Sequence, residues 1–194
     1  MSTLADRLRA ALARPAAEPP IEGDFPELRA GASNEAAVLI AITDRPQPGF
    51  LLTVRRADMR THAGQIAFPG GRVEPGEEAI AAALREAHEE IELDPASVDV
   101  VGAIEPYRTV SRFVITPVLG VVAPDLPLRP HEHEVAELFE APLDYCLDPA
   151  HLRRQSALLQ GRERHYYEIV WNGRRIWGAT AAMIVNLSRR LQWR

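Results

Sequence analysis

The chain has 194 residues, of which 46% are hydrophobic and 25% charged: enough for one domain with its own core, and ordinary for a soluble globular protein. A formal net charge of −5 argues against a protein that holds nucleic acid by electrostatic attraction, since neutralising phosphates takes clustered Lys and Arg. Cys146 is the single cysteine, so no intrachain disulfide can form, and no run approaches the ~20 apolar residues of a membrane span; a cytoplasmic, reducing location is expected.

In chain order, Leu4, Leu8 and Leu12 interleaved with Arg7, Arg9 and Arg14 predict a short amphipathic helix. The same pattern fits a weak organellar presequence, against which Asp6 and the brevity of the segment speak. Pro15, Pro19, Pro20 and Pro26 mark a linker, which divides the chain into an N-terminal helix with linker, 1–33, and a domain proper, 34–194. Ala36 to Thr43 and Phe50 to Arg55 read as a hairpin turning through Asp44, Pro46, Pro48 and Gly49. After the Gly70-Gly71 and Pro75-Gly76 turns, Glu77 to Ile91 reads as a helix with Ile80, Leu84 and Ala83 or Ala87 at helical spacing and an acidic opposite face. Strands are expected at Val98 to Ile104, Val114 to Val122 and Val135 to Phe139, broken by Pro106, Pro117 and Pro124. Tyr166 to Trp171 and Arg175 to Trp177 flank Asn172-Gly173, a strong hairpin signal. Met183, Ile184, Leu187 and Leu191 predict a closing helix. Strands that do not alternate one-to-one with helices point to an α+β sandwich with a mixed β-sheet.

On the acidic helix, Glu89 lies about −60° and Glu90 about +40° around the axis from Glu86, so the three carboxylates share a face. Like charges at that spacing repel, and negative charge near a helix C-terminus opposes the macrodipole. A bound hard cation resolves the conflict, because Mg²⁺ takes one or two carboxylates and fills its shell with substrate phosphates. Three glutamates alone are more often a solvated face with Arg85 paired to Glu89.

The surrounding residues reverse that reading. Gly71, Glu77, Arg85, Glu86, Ala87, Glu89, Glu90 and Leu93 fill eight of the nine defined positions of G-x5-E-x7-R-E-U-x-E-E-x-G-U, with U apolar, and the stretch resembles the Nudix box. Glu92 stands where the box has glycine, which bears on the turn ending the helix. Directly upstream, Leu51-Leu52-Thr53-Val54-Arg55-Arg56 and Arg60 through Gly71 resemble the signature L-L-T-x-R-S/A-x3-R-x3-G-x3-F-P-G-G of the coenzyme A diphosphatase branch, with Arg56 departing from the serine or alanine. Arg175 to Ala181 also looks like that branch, whose members often lack the box glycine.

The resemblance implies a Nudix-like α/β/α sandwich and a Mg²⁺ or Mn²⁺ site on Glu86 and Glu90, with Glu89 as a further ligand or as the base. Glu134, on a distant loop, is the alternative base, since a loop glutamate serves in some Nudix relatives. Arg85 with Glu77 is expected to orient the carboxylates. Arg55 and Arg60 are candidate phosphate clamps because a guanidinium binds phosphate in a fork geometry. His62 and Gln65 can hydrogen-bond substrate, and Gly70 and Gly71 allow close backbone approach and offer N–H groups to an anion. His131 and His133 read as surface loop, while Tyr107, Phe113, Tyr166, Trp171 and Trp177 are adenine-stacking candidates that strands more often place in a core. The implied activity is hydrolysis of coenzyme A or acyl-CoA to adenosine 3′,5′-bisphosphate and (acyl-)4′-phosphopantetheine. The alternatives are a Nudix hydrolase of a dinucleotide or nucleotide sugar, and a catalytically silent binding module. The expected partner is that small molecule, not nucleic acid or membrane, and a homodimer is left open.

Overall fold

The computed structural model describes residues 3–16, 18–24, 34–59, 62–159 and 162–192. Arg60 and residues 25–33 of the proline-rich stretch lie outside the described residues. The central mixed sheet is built on β1 (Asn34–Thr43), which runs parallel to β7 (Phe113–Val122) and antiparallel to β2 (Gly49–Arg55) with Ile42 facing Phe50. Beyond β7 lies β5 (Val98–Ala103), and beyond β2 lies β8 (Val135–Pro142). Three short strands complete the sheet: β3 (Ile66–Ala67) on β2, β4 (Gly70–Arg72) on β1, and β6 (Tyr107–Arg108) on β7.

β1 reads as one apolar run because both its faces are covered. Alternation sends Ala37, Leu39 and Ala41 to one side, against α2 (Ala79–Ile91), and Val38, Ile40 and Ile42 to the other, against α1 (Leu4–Leu12), α3 (Leu143–Leu147) and α4 (Ala179–Leu191). Outside that layer sits a three-stranded antiparallel sheet of β9 (Arg153–Leu159), β10 (Arg162–Trp171) and β11 (Arg174–Trp177). The α+β sandwich with a mixed sheet is therefore the observed architecture.

Several boundaries and faces differ from the sequence expectation. On α2 the buried side chains are Ala82, Ala83, Ala87, Glu90 and Ile91, whereas Ile80 is exposed and Leu84 half-buried. The small alanines let the helix approach Ala37 and Ala41 closely, which turns the first-turn isoleucine outward. Pro117 does not break β7: its carbonyl accepts Ile104 N–H at 2.9 Å, so its missing donor falls on the same edge, where β5 gives way to β6. β9 is a strand that the sequence reading left out.

The Asn172-Gly173 hairpin has φ of 47° and 73° at its two turn residues, the left-handed pair that a two-residue turn of this hand needs. α1 is a core element, with Leu4, Ala5 and Leu8 buried among α4 and sheet residues. Asn186 of α4 ties the described part of the proline-rich stretch down by accepting Ile21 N–H at 2.8 Å and donating to Ile21 O at 3.0 Å. Cys146 is buried in α3, and burial pushes its thiol up to about 12, which keeps it inert. Among the described residues no helix is long and apolar enough to cross a membrane.

Candidate active site

The site is assembled where α2 crosses β4 and the end of β2. Arg85 is its hub. Its Nε and Nη2 grip Glu77 Oε1 and Oε2 at 2.9 and 3.0 Å, its Nη1 reaches Glu86 at 3.0 Å and Glu89 at 3.2 Å, and Nη2 also donates to Arg72 O at 2.9 Å. Glu77 in turn accepts Glu74 N–H at 2.9 Å, so the loop before the helix is locked to the middle of the helix. The hydrogen bond from Arg85 holds the Glu77 carboxyl below its ordinary range, and Glu77 foremost raises Arg85. Arg85 thus joins Glu77, Glu86 and Glu89 in one set of bonds.

Gly70 is required by space, and Gly71 leaves room for the Glu86 carboxyl. A Cβ on Gly71 would lie 2.4 Å from the Glu86 carboxyl carbon, and one on Gly70 would lie 2.3 Å from Ala37 O. Gly70 N–H does meet an anion, the protein's own Glu90 Oε2 at 3.3 Å. Glu90 is 6% exposed. Its only ion-pair partner among the described residues is Arg55, with Nη1 3.8 Å from Oε1. Burial, then the charges of Glu134 and Glu86, push the Glu90 carboxyl up to about 7 against the pull of Arg55 and the Gly70 N–H. Glu86 is raised chiefly by burial, with Glu89 and Glu134 adding to it and Arg85 opposing.

Glu134 is brought to this field by the end of α2. A helix leaves its last carbonyls unpaired. Here Arg129 N–H bonds Ile91 O at 3.0 Å and His131 N–H bonds Glu90 O at 2.8 Å, so the chain before β8 caps the helix and carries Glu134 with it. Glu92 completes the helix end in a left-handed conformation, φ 54° and ψ 30°, with Leu93 N–H reaching Ala87 O at 3.4 Å. The turn made by the glycine of the box is kept, on a residue less suited to it.

Of the other expected site residues, His62 (φ 57°) and Gln65 are joined to each other, Nδ1 to Oε1 at 2.8 Å, in the turn that follows Arg55, whose N–H bonds Gln65 O at 2.9 Å. Among the stacking candidates, Tyr107 is core, Phe113 lies under Arg72, and Trp171 stacks on Phe139. Tyr166 and Trp177 meet edge to face on the outer side of the three-stranded sheet, under Arg175. His131 and His133 are exposed loop residues. The sequence reading missed Arg56 as a structural contact, although its departure from the signature was the available signal.

The donor set fits a hard divalent cation. The two inward carboxylates, Glu86 and Glu90, supply only oxygen, are partly desolvated, and repel one another and Glu134. Among the described residues no three His, Cys, Asp or Glu side chains close on a single point. Two carboxylates suit a hard divalent cation that keeps much of its shell for water and phosphate.

A small-alanine helix over a mixed sheet thus carries a carboxylate cluster buttressed by one arginine. The NUDIX domain model matches residues 33–166. The uncharacterized Nudix hydrolase NudL of Escherichia coli K12 is 45% identical over 161 residues, covering 81% of this chain and 82% of its own. Its namesake from Shigella boydii serotype 4 is 44% identical over the same length. The crystal structure of RenU, a Nudix hydrolase from M. smegmatis, matches with a TM-score of 0.50 and 26% identity over 57% of this chain and 71% of that one. The chain belongs to the Nudix family and is a Nudix hydrolase. Enzymes of this family generally use divalent cations.

Proposed function

We propose that the chain hydrolyses the diphosphate bond of coenzyme A or acyl-CoA, adding water to give adenosine 3′,5′-bisphosphate and 4′-phosphopantetheine or its acyl form, with Mg²⁺ or Mn²⁺ as cofactor. The observation that carries this reading is the placement of the described residues of the Leu51–Gly71 block, 51–59 and 62–71. It delivers Arg55 to the acidic helix, 3.8 Å from Glu90, and it supplies Gly70 and Gly71 beneath Glu86 and Glu90. Arg55 Nε is buried and has no hydrogen-bond partner among the described residues, so this guanidinium holds unused donor capacity beside the carboxylates.

In this reading Glu86 and Glu90, with Glu89 at the margin, would hold the cation, which would supply charge neutralisation at the diphosphate and activation of water. Arg85 and Glu77 fix the carboxylate geometry. Arg55, together with Arg60, His62 and Gln65 from the same block, binds the substrate, and Arg55 takes a phosphate oxygen. Glu134 accepts the proton of the attacking water. The choice between Glu89 and Glu134 follows from their partners: Glu89 Oε2 is occupied by Arg85 Nη1 at 3.2 Å, while no cation pairs with Glu134 among the described residues.

The test is a substrate panel of coenzyme A, acyl-CoA, dinucleotides and nucleotide sugars with Mg²⁺ and Mn²⁺, with products identified by mass. Coenzyme A derivatives as the best substrates, split into the two named products, are expected. Preference for a dinucleotide or nucleotide sugar overturns the substrate assignment, and no turnover of any diphosphate overturns the catalytic one.

A further inference from the structure

Arg56 occupies the position where the signature block has serine or alanine, and its long side chain makes a contact that neither of those residues reaches. Nη1 donates to Glu132 O at 2.7 Å, across 76 residues of chain. The rest of the guanidinium is clamped by Asp58, Nε to Oδ1 at 2.8 Å and Nη2 to Oδ2 at 2.7 Å, a bidentate geometry that aims Nη1 at the carbonyl. The backbone of Arg56 acts on the same segment, its N–H bonding Glu134 O at 3.1 Å.

The β2–β8 ladder slips at this point. Val54 faces Glu137 but Arg55 faces Val135, a bulge that bends the start of β8. One step further, residues His131 to Glu134 form a turn in which Glu134 and Val135 N–H both bond His131 O, at 3.0 and 2.9 Å. That turn is gripped from two sides: His131 N–H is bound to Glu90 O at the end of α2, and Glu132 O and Glu134 O are bound to Arg56.

We propose that Arg56, braced by Asp58, is a positioning residue that clamps the His131–Glu134 turn against the end of α2 and so holds the Glu134 carboxylate beside Glu86 and Glu90. The inference rests on the reading of Glu134 as the base. An exposed Arg–Asp pair by itself contributes little to stability and nothing to turnover. The bond to Glu132 O is what links this pair to the chemistry, because a small displacement of a reacting group is costly in rate.

The experiment compares wild type, Arg56→Ala, Arg56→Lys, Glu134→Gln and the Arg56→Ala/Glu134→Gln double variant, in the full chain with Mg²⁺ and coenzyme A. Steady-state constants are read beside amide hydrogen exchange across residues 129–135. Arg56→Ala is expected to lower kcat about tenfold with KM moved by less than about twofold. Exchange at His131, Glu134 and Val135 should speed up in the same variant. Arg56→Lys, which keeps a donor but not the fork, should fall between the two. The double variant should be no slower than Glu134→Gln alone, because the clamp has nothing left to place. Unchanged exchange in Arg56→Ala overturns the clamp. Faster exchange with unchanged kcat, or a full multiplicative loss in the double variant, overturns the route through Glu134. Wild-type kcat in Glu134→Gln removes the base assignment itself, and the proposal falls with it; that outcome is recognised because the single Glu134 variant alone reports it.

Discussion

The two faces of the central sheet are held by different physics. On one, Val38, Ile40 and Ile42 meet α1, α3 and α4 through large apolar side chains, with Phe50, Leu52, Leu143 and Leu187 in the same cluster. On the other, α2 rests through Ala82, Ala83 and Ala87 on Ala37, Leu39 and Ala41, a thinner apolar contact. It is then fixed by polar anchors, Arg85 to Glu77 and Arg72 O at its middle and loop N–H groups at its end. The first face carries stability. The second carries Glu86, Glu89 and Glu90, of which Glu89 alone is well exposed, on a helix anchored at its middle and end, so these side chains should be replaceable without unfolding the domain.

The sharpest contrast comes from breaking the stable face. Leu8 of α1 is 1% exposed, and Leu8→Ala should cost about 2–5 kcal/mol in a denaturant or thermal melt while leaving turnover of the folded enzyme unchanged. A silent Leu8→Ala would mean that α1 is dispensable and the N-terminal segment is not part of the core.

On the functional face the cost of buried charge should appear as a pH dependence in metal-free protein. The folded-state pKa of Glu90, about 7, lies above its ordinary 4.5, so folding favours the neutral acid. This contribution is fully present below about 4.5 and is lost as pH rises through about 7. The change is of the order of 3 kcal/mol, at about 1.4 kcal/mol per pKa unit. Melting wild type and Glu90→Gln between pH 4 and 8 in chelator checks it: wild type should lose stability relative to the variant with rising pH. Parallel curves would show that Glu90 carries its charge at no cost.

A smaller effect is expected at the helix end. Glu92 is held at φ 54°, where a side chain is strained and glycine is not. Glu92→Gly should therefore stabilise the fold by about 1 kcal/mol with turnover intact. Destabilisation would mean that the Glu92 side chain contributes more than its backbone costs.

The same contrast decides what was legible in the sequence. Elements fixed by local pattern were readable: the β1–β2 hairpin, α2 from its flanking glycines, the Asn172-Gly173 turn and the closing helix. β9 was not, because Arg153, Arg154, Gln155 and Ser156 show no apolar alternation and the strand exists through its pairing with β10, Tyr166 facing Gln155. The inward face of α2 was misjudged at Ile80 because spacing gives a set of rows without saying which row the sheet's small residues will admit. In the site, Glu77, Arg85, Glu86, Glu89 and Glu90 were legible as a spaced set; Arg85 joins Glu77, Glu86 and Glu89, while Glu90 meets Arg55 and the Gly70 N–H instead. Glu134 was legible only through resemblance, since its approach depends on backbone bonds between the loop and α2 that side-chain identity does not encode. Arg56 shows the converse, a side chain in plain view whose partner is a carbonyl far along the chain.

The measurement that bears most directly on the separation of fold from chemistry is turnover and thermal midpoint taken together for Glu86→Gln and Glu90→Gln, with Mg²⁺ and coenzyme A. Each variant should lose at least about a hundredfold in kcat, because a charge proposed to hold the cation is gone, and should melt no lower than wild type in chelator. Turnover within a fewfold of wild type in both would contradict the assignment of the cation to these carboxylates, and a collapse of the melting midpoint alongside turnover would show that the α2 face is structural.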